Sequence, residues 1–515
     1  MRHADSHTEN KRCRRHEAGE FPARGNAYEV ATNSTDPFFR TRTHKLGDFV
    51  NGSPVYVQKP PFSYADTGYS AYVASKSGRK AMVYAAGNGG MLHAFSAATA
   101  DGGTEMWAYV PSMVMSNMYR LADTAYATNH QFYVDGTPVV GDIFDGTDWK
   151  TILVGGLNGG GKGYYALDIS DPASPKTLWE FSSDANLGLS YGNPIITKRA
   201  DGTWVVVVTS GYNNTAGDGL GHLYVLNANT GSVLLNLATT AGSSVNPSGL
   251  AKINAWVDTT TDNKAMRFYG GDLLGNLWRF DIDNRIAPSG NEATLLANFT
   301  VGTTPQPITS IPKTLTVSSG ASTYPVVVLG TGQYLGTSDI TTTDQQSIYA
   351  IKDTLAATGW GNIRAGTSPL VTKTATLGTN TSTVSPNTVD WGTKAGWVLD
   401  LPTSRERVSV DMEVQFNTLA AVTAIPGGNI CSPSGSSWLY LLNVADGSAA
   451  GANPVALGNF LAAGITWVQT SGGDSKLEIS GEVVNNKPTV RTAAVGSSAA
   501  AAGTVRRSSW REIVD

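Results

Sequence analysis

The sequence predicts an all-β protein that folds as a single large β-propeller, with seven blades favoured over eight and with long loop insertions. The composition indicates strands and turns, because 57 of the 515 residues are glycine and only 15% are charged, whereas long helices need many Glu, Lys, Leu and Ala residues. One strand pattern also recurs along the chain. Radial packing of such units buries faces that a single four-stranded sheet cannot bury alone.

The copies share a strand with alternating large apolar residues, which in five of the six ends at an Asp or Asn, as Tyr224 and Leu226 precede Asn227. Alternation with period two places such side chains on one face, which packs against the next blade. The intervals of roughly 50–90 residues exceed a minimal blade, so insertions are expected at 286–325 and 355–395, which are rich in Thr, Ser, Asn and Pro. The copies are, in order, Met82–Phe95, Gly163–Asp168, His222–Asn227, Gly275–Asp281, Ser347–Asp353 and Trp438–Asn443.

The two ends of the chain differ from this pattern. Residues 1–43 are polar and without periodicity, which predicts a disordered arm, and the propeller is expected over 44–470. Residues 471–515 are expected to form a connector, with the small-residue run Gly496–Gly503, and an arginine-rich terminal segment. Residues 1–20 lack the apolar core of a signal peptide, and no apolar run is long enough to predict a transmembrane segment. The net charge of −4 gives no basic surface for nucleic acid.

A loop before the fourth copy carries the best candidate site. Asp258, Thr260 and Asp262 occupy alternate positions, which lets a tight loop direct their oxygens at one centre. Ca²⁺ prefers six to eight oxygen ligands, so these three side chains, the Lys264 carbonyl and water predict a calcium site. The alternative is a polar hairpin loop whose Asp and Thr side chains bind backbone N–H groups.

The residues that follow carry a family resemblance. Tyr269, Gly271–Leu273 and Gly275–Asp281 are similar to the Y-x-G-D-L-x-G-N-L-W-R-F-D motif of the PilY/PilC family, the tip-associated proteins of type IV pili. Further segments match that family in order. They are Leu46–Val57, Phe132–Pro138, Leu329–Leu335 and Arg506–Glu512.

The resemblance implies a non-catalytic β-propeller that is a pilus assembly factor and adhesin, at the pilus tip or outer membrane on the cell surface. Implied partners are minor pilins and the type IV pilus machinery, and host or abiotic surfaces. The family also implies calcium-regulated extension and retraction, and a C-terminal segment that packs back on the body. Its calcium loop has Asp or Asn at the third position and Asp at the ninth, where this chain has Thr260 and Met266.

A second function class has similar strand units. PQQ-dependent dehydrogenases resemble this chain in the Y-A-L-D pattern of Tyr165–Asp168 and are eight-bladed propellers. They bind Ca²⁺ and quinone through Glu, Asn and Asp, commonly beside adjacent cysteines. The two cysteines here, Cys13 and Cys431, are far apart in sequence, and a shared blade pattern implies fold rather than site.

Other polar clusters have simpler interpretations. The glycine run 155–163 lacks the Ser/Thr and the helix of a phosphate-binding loop. Asp135, Asp142, Asp145 and Asp148 could form a second cation loop or an acid/base pair, but Asp-Gly pairs are also turn formers. His93 and His222 lie within the repeated strands, which favours core or rim positions. No zinc-ligand spacing is present.

Overall fold

A computed structural model describes residues 39–42, 44–286, 290–365, 369–378, 382–429, 432–451, 454–469, 475–484, 487–494 and 505–507. These residues form a seven-bladed β-propeller arrangement, as predicted. Helices are few and short, and α1 and α2 are Tyr69–Ser75 and Ser112–Met115. Over the described residues, no helix combines the length and apolar character needed to span a bilayer.

Blades 1 to 4 are four-stranded antiparallel sheets whose strands follow chain order. Blade 1 comprises β1 Val55–Val57, β2 Met82–Gly87, β3 Met91–Ser96 and β4 Glu105–Tyr109. Blade 2 comprises β5 Val139–Phe144, β6 Trp149–Gly156, β7 Tyr164–Asp168 and β8 Lys176–Phe181. Blade 3 comprises β9 Ile195–Lys198, β10 Trp204–Thr209, β11 Leu220–Asn227 and β12 Val233–Gly242. Blade 4 comprises β13 Leu250–Val257, β14 Ala265–Asp272, β15 Asn276–Asp281 and β16 Glu292–Asn298.

Blades 5 to 7 are less regular. A hairpin, β17 Thr300–Val301 and β18 Thr304–Pro305, precedes blade 5. Blade 5 comprises β19 Lys313–Ser319, β20 Ser322–Gly330, β21 Ser347–Lys352 and β25 Gly396–Asp400. Strand β22 Leu370–Lys373 pairs parallel with β25. A separate hairpin between β22 and β25 in sequence consists of β23 Ala375–Thr376 and β24 Thr383–Val384. Blade 6 comprises β26 Glu413–Gln415, β27 Thr418–Asn429, β28 Ser432–Asn443 and β29 Val455–Ala456. The seventh sheet has three strands, β30 Ala462–Gln469, β31 Ser475–Val484 and β32 Lys487–Ala494.

The apolar cores lie between neighbouring blades, and β11 shows how alternation produces them. Tyr224 and Leu226 pack into the core shared with blade 2. Leu223 and Val225 pack into the core shared with blade 4. The strand is therefore buried on both faces rather than on the single face that the sequence pattern predicted, because each blade lies between two others.

The structure corrects two sequence boundaries. Residues 286–325 are not one insertion, since they include β16 and β19, which belong to two blades. A Thr-rich and Ser-rich composition suits strands as well as loops, so composition could not separate them. The boundary predicted at residue 470 divides the seventh sheet, whose strands β31 and β32 follow it. The insertion predicted at 355–395 does lie between β21 and β25.

The chain ends are described only in part. Residues 1–38 and 43 of the predicted arm, and Trp510 near the C-terminus, lie outside the described residues. Within the predicted arm, Phe39 is buried and the Arg40 Nε donates to the Leu121 carbonyl at 2.6 Å. Near the other end, β33 Val505–Arg507 pairs antiparallel with β19 of blade 5.

Candidate functional site

The propeller has two faces that carry different loops. On the first face lie the turns that join the first to the second strand and the third to the fourth strand of each blade. On the second face lie the turns between second and third strands and the connections between blades. The predicted calcium loop, 258–264, joins β13 to β14 on the first face. The Gly275-Asn276 turn of the resemblance motif lies on the second face.

The two carboxylates of the predicted calcium loop already have polar partners. The Asp258 carboxylate accepts a hydrogen bond from the Trp256 indole N–H at 3.0 Å. Asp262 Oδ1 lies 3.3 Å from the Lys198 ammonium, and its Oδ2 lies 3.4 Å from the Lys264 ammonium. Thr260 is exposed. Lys264 thus supplies a positive charge to the loop, whereas the spacing predicted only its carbonyl oxygen as a calcium ligand.

Backbone groups connect this loop to its neighbours. Asn263 adopts φ 50°, a conformation that Asn tolerates better than most residues. Its carbonyl accepts hydrogen bonds from the Lys198 N–H at 3.0 Å and the Thr197 hydroxyl at 2.7 Å. The Thr261 carbonyl accepts one from the Ala65 N–H at 2.9 Å. Two loop carbonyls are therefore engaged with other segments.

As folded, this donor set does not fit a calcium ion. Calcium requires six to eight oxygens, and the Asp262 carboxylate has an ammonium group close to each of its oxygens. Two of the predicted ligands, Asp258 and Asp262, are carboxylates, and within the described ranges no group of three His, Cys, Asp or Glu side chains is close enough to hold a metal ion. Sequence reasoning missed Lys198, and no local signal identifies it, because it is 64 residues from Asp262.

On the second face, Asp272 explains the resemblance motif structurally. Its carboxylate is fully buried and accepts hydrogen bonds from the Leu274 N–H, the Asn276 N–H, the Asn276 amide and the Trp278 indole, at 2.8–2.9 Å. Burial raises the pKa of Asp272 to about 6, although the four donors act in the opposite direction. Asp, Asn and Trp at these spacings thus form one buried turn.

The remaining motif residues connect blade 4 to blade 5. Arg279 and Asp353 form an ion pair of 2.8 Å whose side chains are 2% and 0% exposed. The Tyr269 hydroxyl donates to the other Asp353 oxygen at 2.7 Å. Leu355 donates its N–H to Asp353 at 2.8 Å. These side chains stabilise a blade interface and are not exposed to a ligand.

The four clustered carboxylates of the sequence analysis are separated in the structure. Asp135 is buried and accepts hydrogen bonds from the Asn51 backbone and from the Asn51 and Asn88 side chains. Asp142 is buried elsewhere and accepts from the Tyr69 and Thr151 hydroxyls at 2.7 and 2.6 Å. Burial raises the pKa of both carboxyls. They neither form one cation loop nor face each other as an acid/base pair.

Asp145 and Asp148 instead line an open cleft of about 890 Å³ on the first face, between hairpins of blades 2 and 3. Asp145 is paired with Lys150 at 2.6 Å. Burial raises the Asp145 pKa, but hydrogen bonds from the Asp148 N–H and from Lys150 outweigh it and lower the pKa to about 2. Aromatic rings form part of the wall, and Trp149 packs against Tyr69 and Trp204. This cleft is lined by acidic and aromatic side chains, and its Asp145 carboxylate is held by the ion pair with Lys150.

The histidines and the glycine run have structural partners. His93 contacts Glu105 at 2.6 Å, and His222 contacts Asp218 at 3.0 Å, both from third strands of blades. In the glycine run, a Cβ at Gly160 would lie 1.8 Å from the Tyr133 carbonyl oxygen. That glycine is required for close backbone packing, in agreement with a loop interpretation rather than phosphate binding.

Comparisons with known proteins agree with this architecture. The family model of the PilY1 beta-propeller domain matches residues 46–387. The type IV pilus biogenesis factor PilY1 of Pseudomonas aeruginosa PAO1 is 31% identical over 460 residues, covering 79% of this chain and 39% of the relative. A PilY1 homolog of Xylella fastidiosa is 33% identical over 432 residues, covering 80% and 33%. The chain spans two fifths or less of the length of these relatives.

Solved structures give the same result for the fold. The crystal structure of the P. aeruginosa PilY1 C-terminal domain matches with a TM-score of 0.67 and 26% identity, covering 85% of this chain and 99% of that domain. Two dehydrogenases of the alternative function class, a europium-containing methanol dehydrogenase and a quinohemoprotein alcohol dehydrogenase, reach TM-scores of only 0.31 and 0.37. Similarity at that level carries no argument about function.

Proposed function

The chain belongs to the PilY1 family, and from that membership we propose that it acts in type IV pilus biogenesis. The observation that carries the proposal is the match of the PilY1 beta-propeller model to residues 46–387, joined to relatives that are named type IV pilus biogenesis factors. Because this chain corresponds to a part of those relatives, its role is proposed for the propeller alone.

The propeller acts without catalysis in this proposal. Two buried acidic side chains are engaged in structural contacts: Asp272 binds turn N–H groups and Asp353 pairs with Arg279. In the cleft, Asp145 is held by Lys150. A general acid or base needs a proton-transfer group free to reach a substrate, and a carboxylate engaged by an ammonium meets that need poorly.

The partners and location follow from the same membership. We propose that the propeller contacts minor pilins and other type IV pilus components, at the pilus tip or the outer membrane. Its rigid blades are suited to an adhesive surface for host or abiotic material, because loops on a packed scaffold hold a fixed geometry. In this proposal the propeller acts without calcium control, because the 258–264 loop has an ammonium group near each oxygen of Asp262.

A chimera tests this function directly. In a P. aeruginosa strain that lacks PilY1, residues 44–515 replace the C-terminal domain of PilY1, and surface pili and twitching are compared with PilY1 that lacks that domain. We expect more surface pili than with the truncated protein. A chimera that is exported and folded but yields no more pili than the truncated protein contradicts the proposal.

Two variants test whether pilus assembly depends on the cleft carboxylates. Asp145→Asn and Asp148→Asn in the same chimera remove two of the four cleft carboxylates, the others being Asp66 and Asp201, and we expect pilus numbers to stay unchanged. Loss of pili with normal folding and export would show that assembly requires these carboxylates and would contradict the proposal that the cleft has no catalytic role.

A further inference from the structure

We propose that the Lys198 ammonium is the resident cation of the 258–264 loop, so that the loop holds its conformation without a metal ion. The inference concerns the folding of blades 3 and 4 and does not depend on the pilus function proposed above. A loop with oxygen-bearing residues at alternate positions can obtain its positive charge from a divalent cation. Here the ammonium of one lysine supplies a positive charge instead.

Lys198 is the last residue of β9, and its ammonium lies beside the loop. Its side chain is only 3% exposed, although its charge requires compensation. The ammonium lies 2.7 and 2.8 Å from the two oxygens of Asp66. It lies 3.3 Å from Asp262 and 5.3 Å from the centre of the Trp204 ring. One ammonium therefore bridges two carboxylates from segments far apart in sequence.

The charges of the two ion-paired carboxylates balance without an added ion, and the third carboxylate of the loop, Asp258, accepts a hydrogen bond from the Trp256 indole. Asp66 and Asp262 contribute two negative charges, and Lys198 and Lys264 contribute two positive charges within 3.4 Å of them. A divalent cation at Asp262 would meet both ammonium groups at short range, and like charges repel. Binding of calcium would require both lysine side chains to move away.

The backbone contacts of Lys198 make the same connection. Its N–H donates to the Asn263 carbonyl in the loop. The Ala65 N–H, next to Asp66, donates to the Thr261 carbonyl. The ammonium and these hydrogen bonds together join three segments: the end of β9, the loop, and the stretch before α1. Removal of the ammonium leaves Asp66 without this ion pair and leaves Asp262 with Lys264 as its ammonium partner, at the point where the three segments meet.

The test measures loop protection and calcium binding on the full chain. Amide hydrogen exchange is followed by mass spectrometry for peptides that contain Ala65 and Asn263, in EGTA and in millimolar calcium chloride. Calorimetry with calcium chloride is run in parallel. The variants are Lys198→Met and Lys198→Arg. Lys150→Met is the matched control, because Lys150 is also partly buried and paired with an Asp on the same face.

We expect the parent, K198R and K150M to show the same protection with and without calcium, and no heat of calcium binding. K198M is expected to lose at least about tenfold in protection at both peptides, or about 1.4 kcal/mol, and to recover part of it with calcium. Calcium heat in the parent that disappears in D258A/D262A overturns the proposal. Unchanged protection in K198M also overturns it.

A second variant covers the case in which K198M does not fold. Asp262→Asn removes the loop-side carboxylate, which is 46% exposed, and leaves Lys198 paired with Asp66. We expect D262N to fold and to lose protection at the Asn263 peptide while keeping it elsewhere in blades 3 and 4. Equal protection in D262N and the parent contradicts the role of the ammonium.

Discussion

The buried ion pair between Arg279 and Asp353 allows a sharp test of how the motif stabilises the propeller. Asp353 accepts hydrogen bonds from Arg279, the Tyr269 hydroxyl and the Leu355 N–H, and neither charged side chain is more than 2% exposed. Asp353→Asn leaves the guanidinium buried without its counter-charge. Removal of one member of a buried pair costs about 3–5 kcal/mol, so we expect the free energy of unfolding to fall by that amount.

The double variant identifies the source of that cost. Arg279→Met alone leaves Asp353 uncompensated, and Arg279→Met with Asp353→Asn removes both charges. Because the double variant contains no unpaired buried charge, it should be more stable than the sum of the single effects predicts. Coupling energies between contacting residues reach about 3 kcal/mol, and we expect at least about 2 kcal/mol here.

Urea unfolding followed by tryptophan fluorescence measures these free energies. The control is Asp101→Asn, which breaks the half-buried Lys80–Asp101 pair of 2.5 Å and should shift the unfolding midpoint much less, because ion pairs that solvent reaches contribute little. A shift of the midpoint in D353N no larger than that in D101N would refute the stabilising role of the Arg279–Asp353 pair. Additive effects of R279M and D353N would refute the interpretation that the cost comes from an unpaired buried charge.

Three further predictions use the same unfolding measurement. Asp272→Ala leaves four buried N–H groups without their acceptor, so it should cost about 2–4 kcal/mol, and a cost under about 1 kcal/mol would contradict the role given to Asp272. The pKa of Asp272 in the folded protein is about 6, above its ordinary value of 3.8. As pH rises, the unfolded chain therefore loses this proton at a lower pH than the folded protein does. The contribution of Asp272 to the free energy of unfolding falls as pH rises from about 4 to about 6. Asp272→Asn should lack that decline, and a parent and variant with parallel pH profiles would exclude it. Gly160→Ala should cost more than about 2 kcal/mol, because its Cβ would meet the Tyr133 carbonyl oxygen, whereas Gly78→Ala, where a Cβ meets nothing within 4 Å, should be nearly neutral.

The sequence by itself predicted the fold class and the family, and it favoured seven blades over eight. Period-two alternation and Asn-Gly or Asp-Gly turns depend on residues close together in sequence, so the strand at Leu220–Asn227 and the turn at Gly275 could be predicted locally. The compact motif around Asp272 is local in the same way, since all four hydrogen bonds to the Asp272 carboxylate come from within six residues. Only its burial and its pKa required the structure.

The tertiary structure alone decided what the 258–264 loop does. Spacing predicted a cation between oxygens, but one of the two ammonium groups beside Asp262 comes from Lys198, 64 residues away, and is shared with Asp66, 132 residues from Lys198. Arg279 and Asp353 likewise meet across 74 residues. Which side chains meet at these points depends on how neighbouring blades pack, and no local pattern contains that information. A charged residue obtains its partner from the packed fold, because burial of a charge is stable only where the fold supplies the opposite charge.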